Sequence, residues 1–273
     1  MPPRWASVAI LLGWAVMAVG LIRRDILPDL LIGPPPDLRS IAAVNRADGP
    51  TRWILLVHDD PNNKSGRPIG RAVTESLPLD DGGLKLTSRT TLDADALLQS
   101  TRFSGRASGK VEVDNSIEIG PTGNLRRIDA VVREAGVEEP LMKVRGEVVN
   151  DRLVIETIGP IAVLNIKKAV PYAPKGLIQN ALGPIDRMPG LAVGQRWESR
   201  VVSPLTGKLD VIASEVTRRA DIFWGGGLVS TYEVVQTVPP TLSARTWVRR
   251  SDGLVLRQEV PIPLVPLMIE REP

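Results

Sequence analysis

Past residue 50 the chain falls into short runs in which apolar and polar side chains alternate, separated by turn residues at intervals of roughly 8 to 15. Alternation with period two is the signature of half-buried strands. The first group of predicted strands is Trp53–Val57, Ile69–Glu75, Leu84–Thr91, Lys110–Val113, Ser116–Ile119, Leu125–Arg133, Met142–Val148 and Leu153–Ile158. In the third, Leu84, Leu86, Ser88 and Thr90 share one face, and Lys85, Thr87, Arg89 and Thr91 the other. Asp80-Asp81-Gly82-Gly83, Pro121-Thr122-Gly123-Asn124 and Asn150-Asp151 supply turns, because Gly, Asn and Asp tolerate positive φ. Gly159–Gly190 breaks the rhythm with several Pro and Gly and reads as a crossover between two halves. Alternation then resumes over Gln195–Ser203, Lys208–Thr217, Leu228–Thr237, Ser243–Arg249, Leu254–Val260 and Leu267–Arg271, with turns at Pro204–Gly207 and Ser251–Gly253. Beyond residue 50 the one helical candidate is Leu92–Gln99, with Asp93 as its N-cap. The fold class expected is mainly β: a large curved antiparallel sheet, half-barrel or β-clam, with little helix.

Ahead of this body the pattern is different. Trp5–Ile22 runs without a charge, about 27 Å as a helix, close to the hydrocarbon thickness of a bilayer. Trp5 stands at one boundary and Arg23-Arg24 at the other, as interfacial anchors do. Residues 1–24 are therefore read as a transmembrane anchor, in preference to a cleaved signal peptide whose weak site would be Ala18-Val19-Gly20. Residues 25–50, with Pro34-Pro35-Pro36, are a stiff juxtamembrane linker. Residues 51–273 form the β-rich domain, in halves of about 51–158 and 191–273. The flanking arginines do not fix the orientation. The size of the body beyond one short leader suggests an extracytoplasmic (periplasmic) domain held at a bacterial cytoplasmic membrane.

Charge and composition then remove function classes. The net charge of +3 suggests nucleic acid, but Arg4, Arg23 and Arg24 account for it: without them 31 basic residues face 31 acidic ones. No basic arm remains to neutralise phosphates, so no nucleic-acid partner is expected. With no Cys and the single His58, thiolate metal sites, cysteine nucleophiles and two-imidazole centres are excluded. The His58–Asn63 loop lacks the twelfth-position Glu of a calcium-binding loop, Gly105–Val111 has the wrong spacing for a phosphate loop, and no Gly-x-Ser-x-Gly elbow occurs. No cofactor, metal or catalytic residue is assigned. A carboxylate-only hydrolase stays as a remote alternative. Trp53, Trp197, Trp224 and Trp247 dominate the aromatic area of a body with two Phe and two Tyr, and are the candidate ligand-binding residues. Plain core packing is the competing reading of all four. Arg52-Trp53-Ile54 and Arg196-Trp197-Glu198 open the two halves alike, a hint of an internal repeat.

The stretch Leu191-Ala192-Val193-Gly194-Gln195-Arg196-Trp197, the Pro204–Gly207 hairpin and Thr246–Arg257 (TWVRRSDGLVLR) resemble the extracytoplasmic β domains that accompany bacterial transglutaminase-like proteins. More remotely, they are similar to the lipoprotein-carrier (LolA/LolB-like) superfamily. Ile69–Ala72 and Gly146–Leu153 fit the same rhythm. The resemblance implies a curved half-barrel whose concave face holds something hydrophobic; it carries over no catalytic residue. The expected function is thus a non-enzymatic, membrane-anchored envelope protein that binds a lipid, an acyl ligand or a protein partner on the sheet face. The alternative is an accessory or scaffold subunit of a membrane complex, docking through a sheet edge or the Pro-rich stretch Pro261–Pro266.

Overall fold

The computed structural model describes residues 49–57, 66–96, 109–160, 165–172, 184–202, 209–238, 242–262 and 265–273, together with 14 and 17–20. Fourteen strands follow in chain order. They are β1 (Thr51–Val57), β2 (Arg67–Pro78), β3 (Leu84–Asp93), β4 (Lys110–Ile119), β5 (Leu125–Glu134), β6 (Pro140–Val149) and β7 (Arg152–Ile158). Then come β8 (Ile166–Pro171), β9 (Arg196–Val202), β10 (Leu209–Trp224), β11 (Gly227–Val238), β12 (Leu242–Arg249), β13 (Val255–Ile262) and β14 (Val265–Arg271). All belong to one curved antiparallel sheet in the order β8-β7-β6-β5-β4-β3-β2-β1-β14-β13-β12-β11-β10-β9. Each half is a meander of neighbours, and the pairing of the first strand with the last, Trp53 opposite Arg271, joins the halves. The mainly β expectation is met.

Local chemistry explains the meander. Asn150 and Asp151 both take positive φ, the conformation of a two-residue turn that matches strand twist. Gly82 and Gly123 have positive φ at their turns, and the Asp81 carboxylate accepts the Gly83 N–H at 3.0 Å. Asp93 caps the helical turn at 94–96, its carboxylate accepting the Ala96 N–H at 2.9 Å. The faces of β3 divide as the alternation predicts, with Leu84, Ser88 and Thr90 buried and Arg89 exposed.

Three sequence expectations are corrected. The two strands predicted on either side of Asp114-Asn115 are one strand, β4: the polar pair does not turn the chain but alternates through it, Asp114 outward and Asn115 buried between Ser88 and Ala130. The crossover contains a further strand, β8, paired with β7. β10 extends to Trp224, seven residues past its predicted end at Thr217, across a bulge that resets its alternation. Among the described residues no helix is long and apolar enough to cross a membrane. The anchor at 1–24 and the linker at 25–50 lie almost wholly outside those residues, as do the His58 loop and the Pro204–Gly207 turn; Trp14 and Met17–Gly20 are helical.

The two larger core clusters lie on one face of the sheet. A first cluster joins Trp53, Leu55 and Val57 of β1 to Ala72, Leu267, Ile269, Val248, Val234, Val216 and Trp197. A second joins Leu84, Ile117, Leu125, Val144, Leu153, Ile155 and Val170 across β3–β8. Residues 184–191 form a strap against the first cluster, inserting Met188 and Leu191. The strap is tied to the β12–β13 turn by Met188 N–H to Gly253 O (2.7 Å) and Val255 N–H to Asp186 O (3.0 Å).

Candidate functional site

The four tryptophans separate into two pairs. Trp53 and Trp197 enter the first core cluster, packed by the residues that bury them. Trp224 and Trp247 are half-buried on the opposite face, around Ile222, Leu254 and Leu256. The sheet therefore does not bring the candidate ligand-binding residues into one place. Trp53 and Trp197 both point inward, on the strands that open the two halves.

A polar chain runs through the core beside Trp53. Its indole N–H donates to Thr74 Oγ1 at 3.0 Å, and the Thr74 hydroxyl donates to Asp186 Oδ1 at 2.7 Å. Arg271 stacks its guanidinium 5.6 Å from the Trp53 ring centroid. It donates to Thr51 Oγ1 at 3.0 Å and to the Asp186 carbonyl at 3.4 Å. Gln258 donates to the Ile185 carbonyl at 3.0 Å. Burial raises the Asp186 carboxyl above its usual range, although bonds from Thr74 and Thr51 and the Arg271 and Arg187 cations oppose the shift. This carboxyl is the described group of its kind with a raised pKa, and it sits within the strap's hydrogen bonds. Its role is to hold the strap against the sheet.

The open site is on the other face. A groove of about 660 Å³ crosses β2–β5, lined outwardly by Val73, Glu75 and Leu77 of β2, Lys85, Thr87 and Arg89 of β3, Asp114 and Ser116 of β4, and Asp129 and Val131 of β5. Ser88 and Asn115, whose side chains alternate inward, complete its floor. Register builds this lining: Arg89 stands opposite Val73 and Asp114, and Thr87 opposite Glu75 and Ser116. Its carboxylates are engaged. Asp114 meets Arg89 and Arg133, each at 2.8 Å, and Asp129 meets Arg127 and Arg145. Each pair is partly open to water and so contributes little to stability. Together they fix a ladder of alternating charge with apolar Val73 and Leu77 at its margin, and Val131 beyond. A glycosidase acid needs a carboxyl held protonated in a cleft; here both aspartates are shared between two guanidiniums. Among the described residues no group of acids or His has the geometry to hold a metal ion.

Alternation alone did not reveal this groove. The signal was present as outward residues of opposite charge on successive predicted strands, but only the pairing register brings Arg89 to Asp114 and Thr87 to Ser116.

No family model matches the chain, and no curated protein matches it. Among solved structures it is similar to a beta-barrel-like protein of domain of unknown function DUF1849 from Brucella abortus, at 11% identity and TM-score 0.50, over 81% of this chain and 94% of that one. A DUF1089 family protein from Pseudomonas aeruginosa is aligned at 19% identity and TM-score 0.37, over 71% of this chain and 90% of that one. The first likeness is one of fold: the chain has a β-barrel-like architecture.

Proposed function

We propose that the chain is a non-enzymatic, membrane-tethered envelope protein that docks a protein partner on the outward face of its sheet, as an accessory subunit of a membrane complex. The observation that carries this is the groove across β2–β5. Its volume lies in the range of binding clefts, and its lining of paired charges with an apolar margin suits a polar, extended segment better than an acyl chain. The acyl reading draws on the tryptophans, but Trp53 and Trp197 are occupied by core packing. The tether is supported by Trp14, Met17 and Val19, helical apolar residues that remain largely exposed, and by the charge-free run around them.

The test is site-specific photocrosslinking of the full chain in a bacterial membrane, with the photoreactive residue at Thr87 in the groove or at Glu139 in the β5–β6 turn. A stoichiometric adduct from Thr87, absent from Glu139 and lost on Arg89→Glu, supports the reading. Equal labelling from both positions, or none, overturns it. An acyl species found in stoichiometric amount by native mass spectrometry would favour a lipid carrier instead.

A further inference from the structure

The β10–β11 hairpin ends in a tip with apolar side chains on both faces. One face is covered: Ile222, Trp224 and Val229 pack on Leu254, Leu256 and Trp247. The other is bare. Phe223 and Leu228 stand directly opposite each other across the last rungs before the Gly225-Gly226 turn, 64% and 77% exposed. Such a pair at the end of a hairpin is an apolar surface that water does not favour. Both glycines of the turn have positive φ, so the tip is a tight two-residue reversal.

Its position tells what covers it. The Trp224 indole N–H donates to the Arg271 carbonyl at 2.8 Å, and a side-chain carbon on Gly225 would stand 3.5 Å from the Pro273 ring. Arg271 in turn donates to Thr51 at 3.0 Å, and the Glu272 N–H donates to the Arg52 carbonyl at 2.9 Å. Thr51 begins β1, where the chain arrives from the N-terminal segment. The bare apolar tip and the point at which the linker from the leader joins the body are therefore neighbours, at one end of the sheet. Going up the strand from Phe223 on the same face come Asp221 and then Arg219, with Arg250 over the Tyr232 ring beside it at 5.5 Å. Neither Arg219 nor Arg250 is in an ion pair among the described residues. Four residues of strand from Phe223 to Arg219 span about 13 Å, which sets cations at the level of lipid headgroups when the tip enters the acyl boundary.

The geometry points to the β10–β11 tip as a second membrane contact: Phe223 and Leu228, at the end of the sheet where the linker enters, insert into the bilayer surface and fix the orientation of the body on it. The inference rests on the tethered reading above. The natural absence of cysteine makes the full chain a clean background for spin labels. The chain is placed in vesicles of phosphatidylethanolamine and phosphatidylglycerol and labelled singly at Leu228→Cys, Phe223→Cys, Val137→Cys in the distant β5–β6 turn, or Leu12→Cys in the leader. The expected result is oxygen access with nickel-chelate access several-fold lower at 228 and 223 than at 137. A chelate access at 228 and 223 equal to that at 137, with the label at 12 in lipid, overturns the inserted tip and leaves the tether standing. A label at 12 outside lipid overturns the tether and this inference with it.

Discussion

One row of side chains crosses four neighbouring strands on the inward face: Thr51 on β1, Thr74 on β2, Ser88 on β3 and Asn115 on β4, each opposite the next. All four are buried. The first two are fully employed, Thr51 by Arg271 and Thr74 by Trp53 and Asp186. The last two have no partner among the described residues: Ser88 Oγ and both polar atoms of Asn115 are unbonded there. A buried polar group without a partner costs about 1–3 kcal/mol, so the same row stabilises the fold on one side and strains it on the other. The difference is the strap. Residues 184–191 lie against β1 and β2 and bring Asp186 within reach, whereas nothing among the described residues offers the same to Ser88 and Asn115. Within this row, a buried polar side chain is stabilising where a second segment answers it.

The largest test removes the centre of the employed side. Trp53 is fully buried and joins the apolar cluster to the polar chain. Trp53→Ala is expected to lower unfolding free energy by about 3–5 kcal/mol, read from urea denaturation. A loss below about 1 kcal/mol would mean that the cluster is not packed as described. Next comes the strap's attachment. Gly253 has φ +72°, and a Cβ there would stand 2.7 Å from Pro189 Cα and 2.8 Å from the Met188 carbonyl. Gly253→Ala must move the strap, and should cost about 1–3 kcal/mol, with faster proteolysis within 184–191 than in the parent. Unchanged cleavage would show that the strap does not depend on that turn.

Two substitutions of similar size then set the halves of the row against each other. Thr74→Val preserves shape but takes away the acceptor of the Trp53 indole N–H and one of the hydroxyl bonds to Asp186; a loss of about 1–3 kcal/mol is expected. Ser88→Ala deletes a hydroxyl without a partner among the described residues, and should raise stability, read from the urea midpoint, by up to about 1 kcal/mol. If Ser88→Ala destabilises as Thr74→Val does, the Ser88 hydroxyl has a hydrogen-bond partner of its own, and the two sides of the row do not differ in this way.

How far this division could be read from sequence depends on the range of the interactions. Turn chemistry is local, so Asn150-Asp151, Asp81–Gly83 and the cap at Asp93 were legible. Alternation is also local, and it placed Ser88 and Thr90 on the inward face. It failed at β4, where Asp114-Asn115 has the composition of a turn but the register of a strand. It failed too at β10, where the bulge near Thr217 resets the faces and sends Trp224 away from Trp53 and Trp197. The role of Asp186 had no local signal: it lies in a Pro- and Gly-rich stretch and meets Thr74, 112 residues earlier, only through tertiary packing. The groove was hidden for the same reason, since paired charges become a surface only when the register is known.

The smallest effect concerns what the Asp186 carboxylate does to the employed side as pH changes. Burial, its largest influence, raises its pKa from the ordinary 3.8 despite the opposing hydrogen bonds and cations. The folded protein thus holds this proton more tightly than the unfolded chain. The stabilisation linked to it is complete below 3.8 and is lost as pH rises through the raised folded value, so at neutral pH the ionised carboxylate weighs against folding. Asp252 acts oppositely: the bond from Arg249 lowers its pKa, so its contribution is present above 3.8 and is lost as pH falls through its folded value. Whole-protein stability mixes the two, and a difference measurement separates them. Asp186→Asn keeps an oxygen for the Thr74 hydroxyl while removing the titration. Wild-type stability minus that of the variant should therefore grow as pH is lowered from neutral toward 4, read as urea midpoints across that span. A difference that stays flat would show that the strap is held by the hydrogen bond from Thr74 whatever the charge on its acceptor, leaving the two halves of the row distinguished by bonding alone.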